Sequence, residues 1–205
     1  MTNIIFIGPQ GSGKGTQAKI LAEKLNIPHI STGDLFRGLT KGPLKEEVDA
    51  NINQGKLVPD ELTVKILKER ISNLDCKKGF ILDGFPRNLD QANLLDNIAK
   101  IDKVIEINIT DELAIERISS RISCKKCGAV YNTITNPPKK ENICDQCQEE
   151  LYRRADDNPE AIKKRLETYH KETKPILKKY QSILDSIDGN QEIDKIAEQI
   201  LEKIE

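Results

Sequence analysis

Short apolar runs and stretches of helical period alternate along this chain, and turn residues separate them. Asn3 to Ile7 carries four consecutive apolar residues, the pattern of a strand buried on both faces. A glycine-rich loop follows. Ala18, Leu21, Ala22 and Leu25 then recur at helical spacing and predict a helix from about Lys14 to Leu25. Pro28 to Ser31 reads as a second short strand. From Thr32 to about Pro59 the period stays helical but turns polar, broken by glycines at 33, 38, 42 and 55, which predicts a small helical insertion. Leu62 to Leu74 has the pattern of an amphipathic helix, Gly79 to Gly84 of a buried strand ending in an acid, and Leu89 to Ile98 of a helix. Lys103 to Ile109 reads as a strand, and Asp111 to Ile122 as a helix capped near Thr110.

The period then disappears. Ser123 to about Asp157 holds four cysteines and two adjacent prolines, which suggests a second insertion, compact and built of short strands. Asn158-Pro159-Glu160 combines a cap, a proline at the first helical position and an acid in the first turn, so a helix is expected from there to about Tyr180, kinked at Pro175. Ile193 to Ile204 closes the chain as an amphipathic helix. Strands alternating with helices imply an α/β fold, a parallel five-stranded sheet flanked by helices. The expected division is a core of 1–30, 60–122 and 158–205, with insertions at 31–59 and 123–157.

Composition narrows the function. Of the 205 residues 32% are charged and 37% hydrophobic, with a net charge of −1 and 4% aromatics. A basic, aromatic-lined nucleic-acid groove is not expected from such a balance. No apolar run is long enough to span a membrane. The N-terminus lacks a basic region and a cleavage site, so a cytoplasmic protein is expected, in which cysteines serve as thiols or metal ligands.

The loop Gly8-Pro9-Gln10-Gly11-Ser12-Gly13-Lys14-Gly15-Thr16 carries the chemistry. Its glycines let the backbone wrap phosphate oxygens, a helix N-terminus stands behind it, Lys14 can reach the terminal phosphates, and the Thr16 hydroxyl suits Mg²⁺. A phosphate-binding P-loop fold is therefore expected. Gly15 stands where the general pattern has serine or threonine directly after lysine.

Gly-Lys-Gly-Thr resembles the loop ending of the adenylate kinase family, and further segments extend the resemblance over essentially the whole chain. Ser31-Thr32-Gly33-Asp34-Leu35-Phe36-Arg37 resembles that family's monophosphate-site motif. Gly55-Lys56-Leu57-Val58-Pro59 resembles the end of its monophosphate-binding (NMP) insertion. Asp83-Gly84-Phe85-Pro86-Arg87 with Gln91 resembles its signature segment. Arg117, Arg121, Arg154-Ala155-Asp156-Asp157 and Arg165 are similar to its lid and hinge residues. Gln10 departs from the proline more usual in the family.

The resemblance implies Mg²⁺-dependent, reversible transfer between ATP and AMP to give two ADP, with Lys14, Arg87, Arg121, Arg154 and Arg165 as catalytic residues. It implies an ATP site made of Gly11, Ser12, Gly13, Lys14, Gly15, Thr16, Arg117, Arg121, Val130, Tyr131 and Gln191. The AMP site it implies consists of Thr32, Arg37, Lys56, Leu57, Val58, Gly84, Phe85, Pro86, Arg87, Gln91, Arg154 and Arg165. Asp83 and Thr16 hold Mg²⁺ through water in this picture, and the Phe85-Pro86 bond is cis. Arg117 and Arg121, four apart on the predicted helix, share a face. The resemblance also implies that Thr32 and Gln91 accompany adenine, which favours AMP. The alternative is a kinase for UMP, CMP or GMP. More distant readings are a zinc-ribbon nucleic-acid binder that uses ATP as a switch, and an inactive relative keeping the fold.

Cys124-x-x-Cys127, sixteen residues, then Cys144-x-x-Cys147 fits a four-cysteine structural zinc site. Some bacterial members of the family carry a metal in the lid, so spacing and resemblance point the same way. Cys76, His29 and His170 stand alone and are given no role. A monomer acting on ATP, AMP and ADP, with no nucleic-acid or membrane partner, is expected.

Overall fold

The computed structural model describes residues 2–54 and 56–204; Gly55 of the first insertion lies outside the described residues. The chain opens with β1 (Thr2–Ile7), passes through the glycine loop into α1 (Lys14–Leu25) and returns in β2 (His29–Ser31). Next come α2 (Thr32–Arg37), α3 (Pro43–Ile52) and α4 (Asp60–Ile71), and a 3-10 turn at Leu74–Lys78 leads into β3 (Gly79–Asp83). Then follow α5 (Leu89–Asp96), β4 (Lys103–Asn108) and α6 (Asp111–Ser119). Three short strands, β5 (Arg121–Cys124), β6 (Val130–Asn132) and β7 (Leu151–Tyr152), precede α7 (Pro159–Thr168). A wide turn at Tyr169–Thr173, α8 (Ile176–Lys179), β8 (Leu184–Asp188) and α9 (Ile193–Glu202) complete the chain.

The main sheet has five parallel strands in the order β2-β3-β1-β4-β8. β1 lies at its centre, which explains its unbroken apolar run. Ile5 and Ile7 face one layer, with Leu67, Phe85, Leu95 and Tyr169. Ile4 and Phe6 face the other, with Leu21, Ile196 and Ile200 of α1 and α9. Successive side chains of a strand point to opposite faces, so one hydrophobic run serves two layers. A small separate cluster (Phe36, Val48, Val58) sits under α2 and α3. Another (Ile122, Cys124, Ala129, Tyr131, Cys144, Leu151) lies on the antiparallel sheet β6-β5-β7.

Side-chain caps start the helices that matter to the site. Ser31 accepts from Asp34 N at 3.3 Å, Asn88 from Gln91 N at 2.7 Å, Thr110 from Leu113 N at 3.3 Å and Asn158 from Ala161 N at 2.9 Å. Each satisfies an N–H that has no partner inside its helix.

Four expectations change. The helix expected over 111–122 ends at Ser119, and Arg121 opens strand β5 instead. Ser120 Oγ turns back onto Glu116 O at 2.8 Å, while Thr133 N takes Ser120 O at 2.9 Å, so the small sheet caps the helix and draws the chain away. Arg117 and Arg121 therefore do not share a helix face. The helix expected over 62–74 runs Asp60–Ile71, and Leu74 is exposed on the following turn. The helix expected from 158 to about 180 is interrupted before Pro175, by a wide turn in which Lys174 N reaches back to Tyr169 O at 2.8 Å. A proline ring crowds the carbonyl four residues earlier, and a widened turn relieves the clash. Finally β8, at residues the pattern left unassigned, supplies the fifth strand.

Candidate functional site

The C-terminal ends of β1, β2 and β3 open into one cleft of about 1220 Å³. Crevices at this end of a parallel sheet are where ligands bind in open α/β folds. The glycine loop forms its floor. Gly8 has φ +150°, and an added Cβ would strike the Ile107 carbonyl, so only glycine lets the loop leave β1 here. Gly13 precedes α1 and accepts from Thr16 N and Gln17 N, both at 3.0 Å. The N–H groups of Lys14 and Gly15 have no acceptor within the helix; they stand at the positive end of its dipole, and both residues line the cleft.

Lys14 Nζ donates to Gly8 O (2.7 Å) and Pro9 O (2.8 Å) and lies 3.4 Å from Ser12 Oγ. Burial lowers its pKa to about 8, Asp83 opposes the shift, and Arg87 and Arg121 add to it. Asp83 ends β3 beside it. Burial alone would raise the Asp83 carboxyl, but the neighbouring His29 ring and the charges of Lys14 and Arg87 hold it below the usual range. His29 Nε2 lies 3.6 Å from Asp83 Oδ2. The glycine at position 15 has a structural reason: a Cβ there would sit 3.2 Å from Asp83 Oδ2. Thr16 lies in the same first turn and lines the cleft.

Arginines form the far wall. Arg87 Nε donates to Gly84 O at 2.7 Å, and burial, with Arg165 and Arg37 nearby, pushes its pKa down. Burial lowers Arg154 to about 10, with Arg121 and Arg37 adding their repulsion; its Nε donates to Ser123 Oγ at 3.1 Å. Mutual repulsion among buried cations marks a place built for an anion. Asp156 and Asp157 hold two of these side chains. Arg121 donates to Asp157 at 2.9 and 2.5 Å, and Arg165 donates to Asp156 Oδ2 at 2.8 Å and to Asp157 Oδ1 at 3.0 Å. Burial would raise the Asp157 carboxyl, but Arg121 and then Arg165 pull it down. Asp157→Ala is expected to destabilise the fold by about 3 kcal/mol, because two buried cations lose one anchor. Urea unfolding checks this. Since the native value is depressed, the carboxylate's contribution is full near neutrality and fades as pH falls through it.

On the second-nucleotide side, Thr32 is buried and its hydroxyl donates to Gly84 O at 2.8 Å. Arg37 pairs with Asp34 at 2.7 Å on α2. Lys56, Leu57 and Val58 follow α3 in irregular chain and line the cleft, Val58 with its side chain in the small cluster. Phe85-Pro86 is a cis peptide. Gly84, Pro86, Arg87 and Gln91 line the cleft, whereas the Phe85 ring is buried in the main core.

On the other side Arg117, Val130, Tyr131 and Gln191 line the same cleft. Burial lowers the pKa of Arg117. Val130 is exposed. The Tyr131 hydroxyl is turned away, accepting from Asp145 N at 2.9 Å and lying 3.6 Å from Cys144 Sγ. Gln191 pairs with Gln199 at 3.1 Å. Gln10 borders a small gap shared with Arg165 and Tyr169.

Cys124, Cys127, Cys144 and Cys147 bring their sulfurs within 4.8 Å of one another, with closest pairs at 3.4 and 3.5 Å. Four sulfurs at zinc-bond length stand roughly 3.8 Å apart, so the set fits a tetrahedral ion. The two knuckles repeat each other. Gly128 N returns to Cys124 O and Gln148 N to Cys144 O, at φ +68° and +60°. Cys76 is buried elsewhere, and burial raises its thiol pKa.

Sequence reasoning missed His29, whose position two residues before Ser31 puts it on β2 beside the acid ending β3. It gave no role to Asp156 and Asp157, although two acids just after Arg154 hinted at pairing. It also missed Lys19, whose Nζ donates to Gly128 O at 2.9 Å and ties α1 to the first knuckle.

Comparison with known proteins adds names to this geometry. The family model described as adenylate kinase matches residues 6–184. An adenylate kinase of Ruminiclostridium cellulolyticum is 47% identical, covering 98% of this chain and 98% of its own. One from Clostridioides difficile is 50% identical over 97% of this chain and 96% of its own length. One from Bacillus cytotoxicus is 48% identical over 95% and 94%.

Proposed function

The chain belongs to the adenylate kinase family, and on that footing we propose that it transfers the terminal phosphoryl group of ATP to AMP, reversibly, giving two ADP. One observation carries the reading: Lys14, Arg87, Arg121, Arg154 and Arg165 converge on a single cleft that Thr32 and Gln91 line as well as Arg117 and Gln191. Bringing two polyanions together is the main obstacle to phosphoryl transfer, and positioned cations remove it. Lys14 and the N–H groups of the loop hold the donor phosphates. Arg121, Arg154 and Arg165 surround the moving group, with arginine's planar fork matched to phosphate oxygens. Arg37 and Arg87 hold the acceptor phosphate, an oxygen of which forms the new bond as the bridging oxygen of the donor leaves with ADP.

Arg117, Val130, Tyr131 and Gln191 border the ATP base. Thr32, Lys56 to Val58, Gly84, Pro86, Arg87 and Gln91 border AMP, with Phe85 anchoring this segment in the core. Asp83 and the Thr16 hydroxyl hold Mg²⁺ through water; bound there it neutralises phosphate charge. The four cysteines hold a structural zinc ion. Segments 31–59 and 123–157 close over AMP and ATP respectively on a core of 1–30, 60–122 and 158–205, excluding water so that phosphate passes to AMP. One chain supplies every group named, which supports a monomer, and the near-neutral charge supports a protein acting on small nucleotides, here assigned to the cytoplasm. Among the described residues no helix is long and apolar enough to cross a membrane.

The test is a panel of AMP, GMP, UMP and CMP with ATP and Mg²⁺, zinc being measured on the same sample. AMP should exceed every other acceptor in kcat/KM by about 10³-fold, because a pocket that hydrogen-bonds one base edge leaves its polar groups unpaired with another. A better rate with any other monophosphate overturns the acceptor assignment.

A further inference from the structure

The amide of Gln91 is held at both ends. It is 2% exposed, at the start of α5. Its Nε2 donates to Asp60 Oδ1 at 2.6 Å, and its Oε1 accepts from Arg87 N at 2.7 Å. Asn88 locks the same group: its Nδ2 donates to both Asp60 oxygens, at 3.1 and 3.0 Å, and its Oδ1 accepts from Gln91 N at 2.7 Å. Asp60 begins α4, 31 residues away in sequence, so this contact ties the helix after the first insertion to the segment that carries Arg87.

A side-chain amide has nearly the same shape either way round, and in most places it can turn over. Here its partners differ in kind. A backbone N–H only donates, and a carboxylate oxygen only accepts. Turning the Gln91 amide would set its NH₂ against the Arg87 N–H and its oxygen against Asp60, making two attractive contacts repulsive. The orientation is therefore fixed before any ligand arrives. One N–H of Nε2 and one lone pair of Oε1 remain for a neighbour. Thr32 is committed as well: its hydroxyl proton goes to Gly84 O at 2.8 Å, so it offers only acceptor capacity to the cleft.

We propose that Asp60 is a positioning residue that fixes the Gln91 amide and so sets the discrimination between 6-amino and 6-oxo purine monophosphates. The proposal rests on the reading of the cleft around Thr32 and Gln91 as the acceptor site. A 6-amino purine presents a donor at position 6 beside a bare N1 acceptor; a 6-oxo purine presents the reverse. An amide free to turn over serves both, whereas an amide held by Asp60 serves the first and leaves the second with facing donors and facing acceptors.

Inosine monophosphate is the clean probe, since it differs from AMP at this edge alone. The kcat/KM for AMP and for inosine monophosphate, each with ATP and Mg²⁺, is measured for the wild type, Asp60→Ala, Asp60→Asn, Gln91→Leu and the Asp60→Ala/Gln91→Leu pair, with thermal unfolding alongside. The AMP preference should drop about tenfold in Asp60→Ala and by a smaller factor in Asp60→Asn, which keeps one acceptor oxygen for Nε2. The double variant should show the same preference as Gln91→Leu alone, since Asp60 acts only through Gln91. A merely structural role would slow both acceptors in parallel and leave their ratio unmoved. An unchanged ratio in Asp60→Ala, or in Asp60→Asn should the alanine variant not fold, overturns the proposal. So does a double variant less selective than Gln91→Leu. A wild type that turns over inosine monophosphate as well as AMP would instead overturn the acceptor assignment itself.

Discussion

Lys14→Met lowers kcat by about 10³-fold and leaves the thermal midpoint little changed, as initial rates and a melting curve on the same preparation will show. Methionine keeps the length and apolar body of the side chain while deleting the ammonium. The cleft loses the one cation that lies within the phosphate loop itself. Stability is spared because the ammonium is held there against the pull of water: burial brings its pKa to about 8 from 10.5. Between those values the unfolded chain binds the proton that the folded chain has lost. The penalty for burying the charge is complete below about pH 8 and is relieved as pH rises through this window, so this group's effect on stability runs upward with pH there. Phosphate reverses the balance by favouring the charged form. Nucleotide binding near pH 8 should take up protons, read as a dependence of calorimetric heat on buffer ionisation enthalpy, and Lys14→Met should abolish most of that dependence. Uptake persisting in the variant would mean that another group receives the proton.

Loss of the metal proposed for the four cysteines is the second large effect. Cys144→Ser, or a strong chelator acting on the wild type, should remove the metal and unfold the second insertion while the core stays intact. The cluster in that segment has six buried residues, two of them the ligands Cys124 and Cys144. Ordering a segment of roughly 35 residues costs about 1–2 kcal/mol per residue in backbone entropy, more than so few apolar side chains offset. A four-thiolate site adds an apparent ~10 kcal/mol or more. Metal analysis should give one equivalent for the wild type and little for Cys144→Ser. Hydrogen exchange should rise across the knuckles and the antiparallel strands, but not in β1 or β4. Activity should fall about 100-fold, as Arg121 and Arg154 lose their fixed positions. A lid that stays protected without metal would show that the apolar cluster suffices.

The central strands and the glycine loop were legible because they obey local rules. A strand covered on both faces has to be apolar throughout, as Ile4 to Ile7 are. The paired cysteine knuckles were legible from spacing for the same reason. The edge strand β8 was not, because it pairs with β4 alone and buries only Ile187 among Asp185, Ser186 and Asp188. The end of α6 was hidden by a coincidence of period. Ile118 and Ile122 are four apart and read as one helical stripe, yet Ile118 belongs to the cluster of Ala114 and Leu166, and Ile122 to that of Tyr131. The arginines could be named from their resemblance to a family pattern. The carboxylates that hold them could not, since Arg121 and Asp157 meet across 36 residues and no local pattern records such a pairing.

Strand β5 also binds two events together. Arg121 stands at one end, lining the cleft, and Cys124 at the other, in the four-cysteine cluster. Three residues of extended chain span only about 10 Å, too short and too stiff to let one end move freely of the other. With the function proposed above, nucleotide and metal would hold opposite ends of a single rod. By thermodynamic reciprocity, whatever factor the metal contributes to nucleotide affinity, the nucleotide returns to metal affinity. With that function, a cell short of metal would strip the resting protein before the working one, and substrate itself would guard the staple.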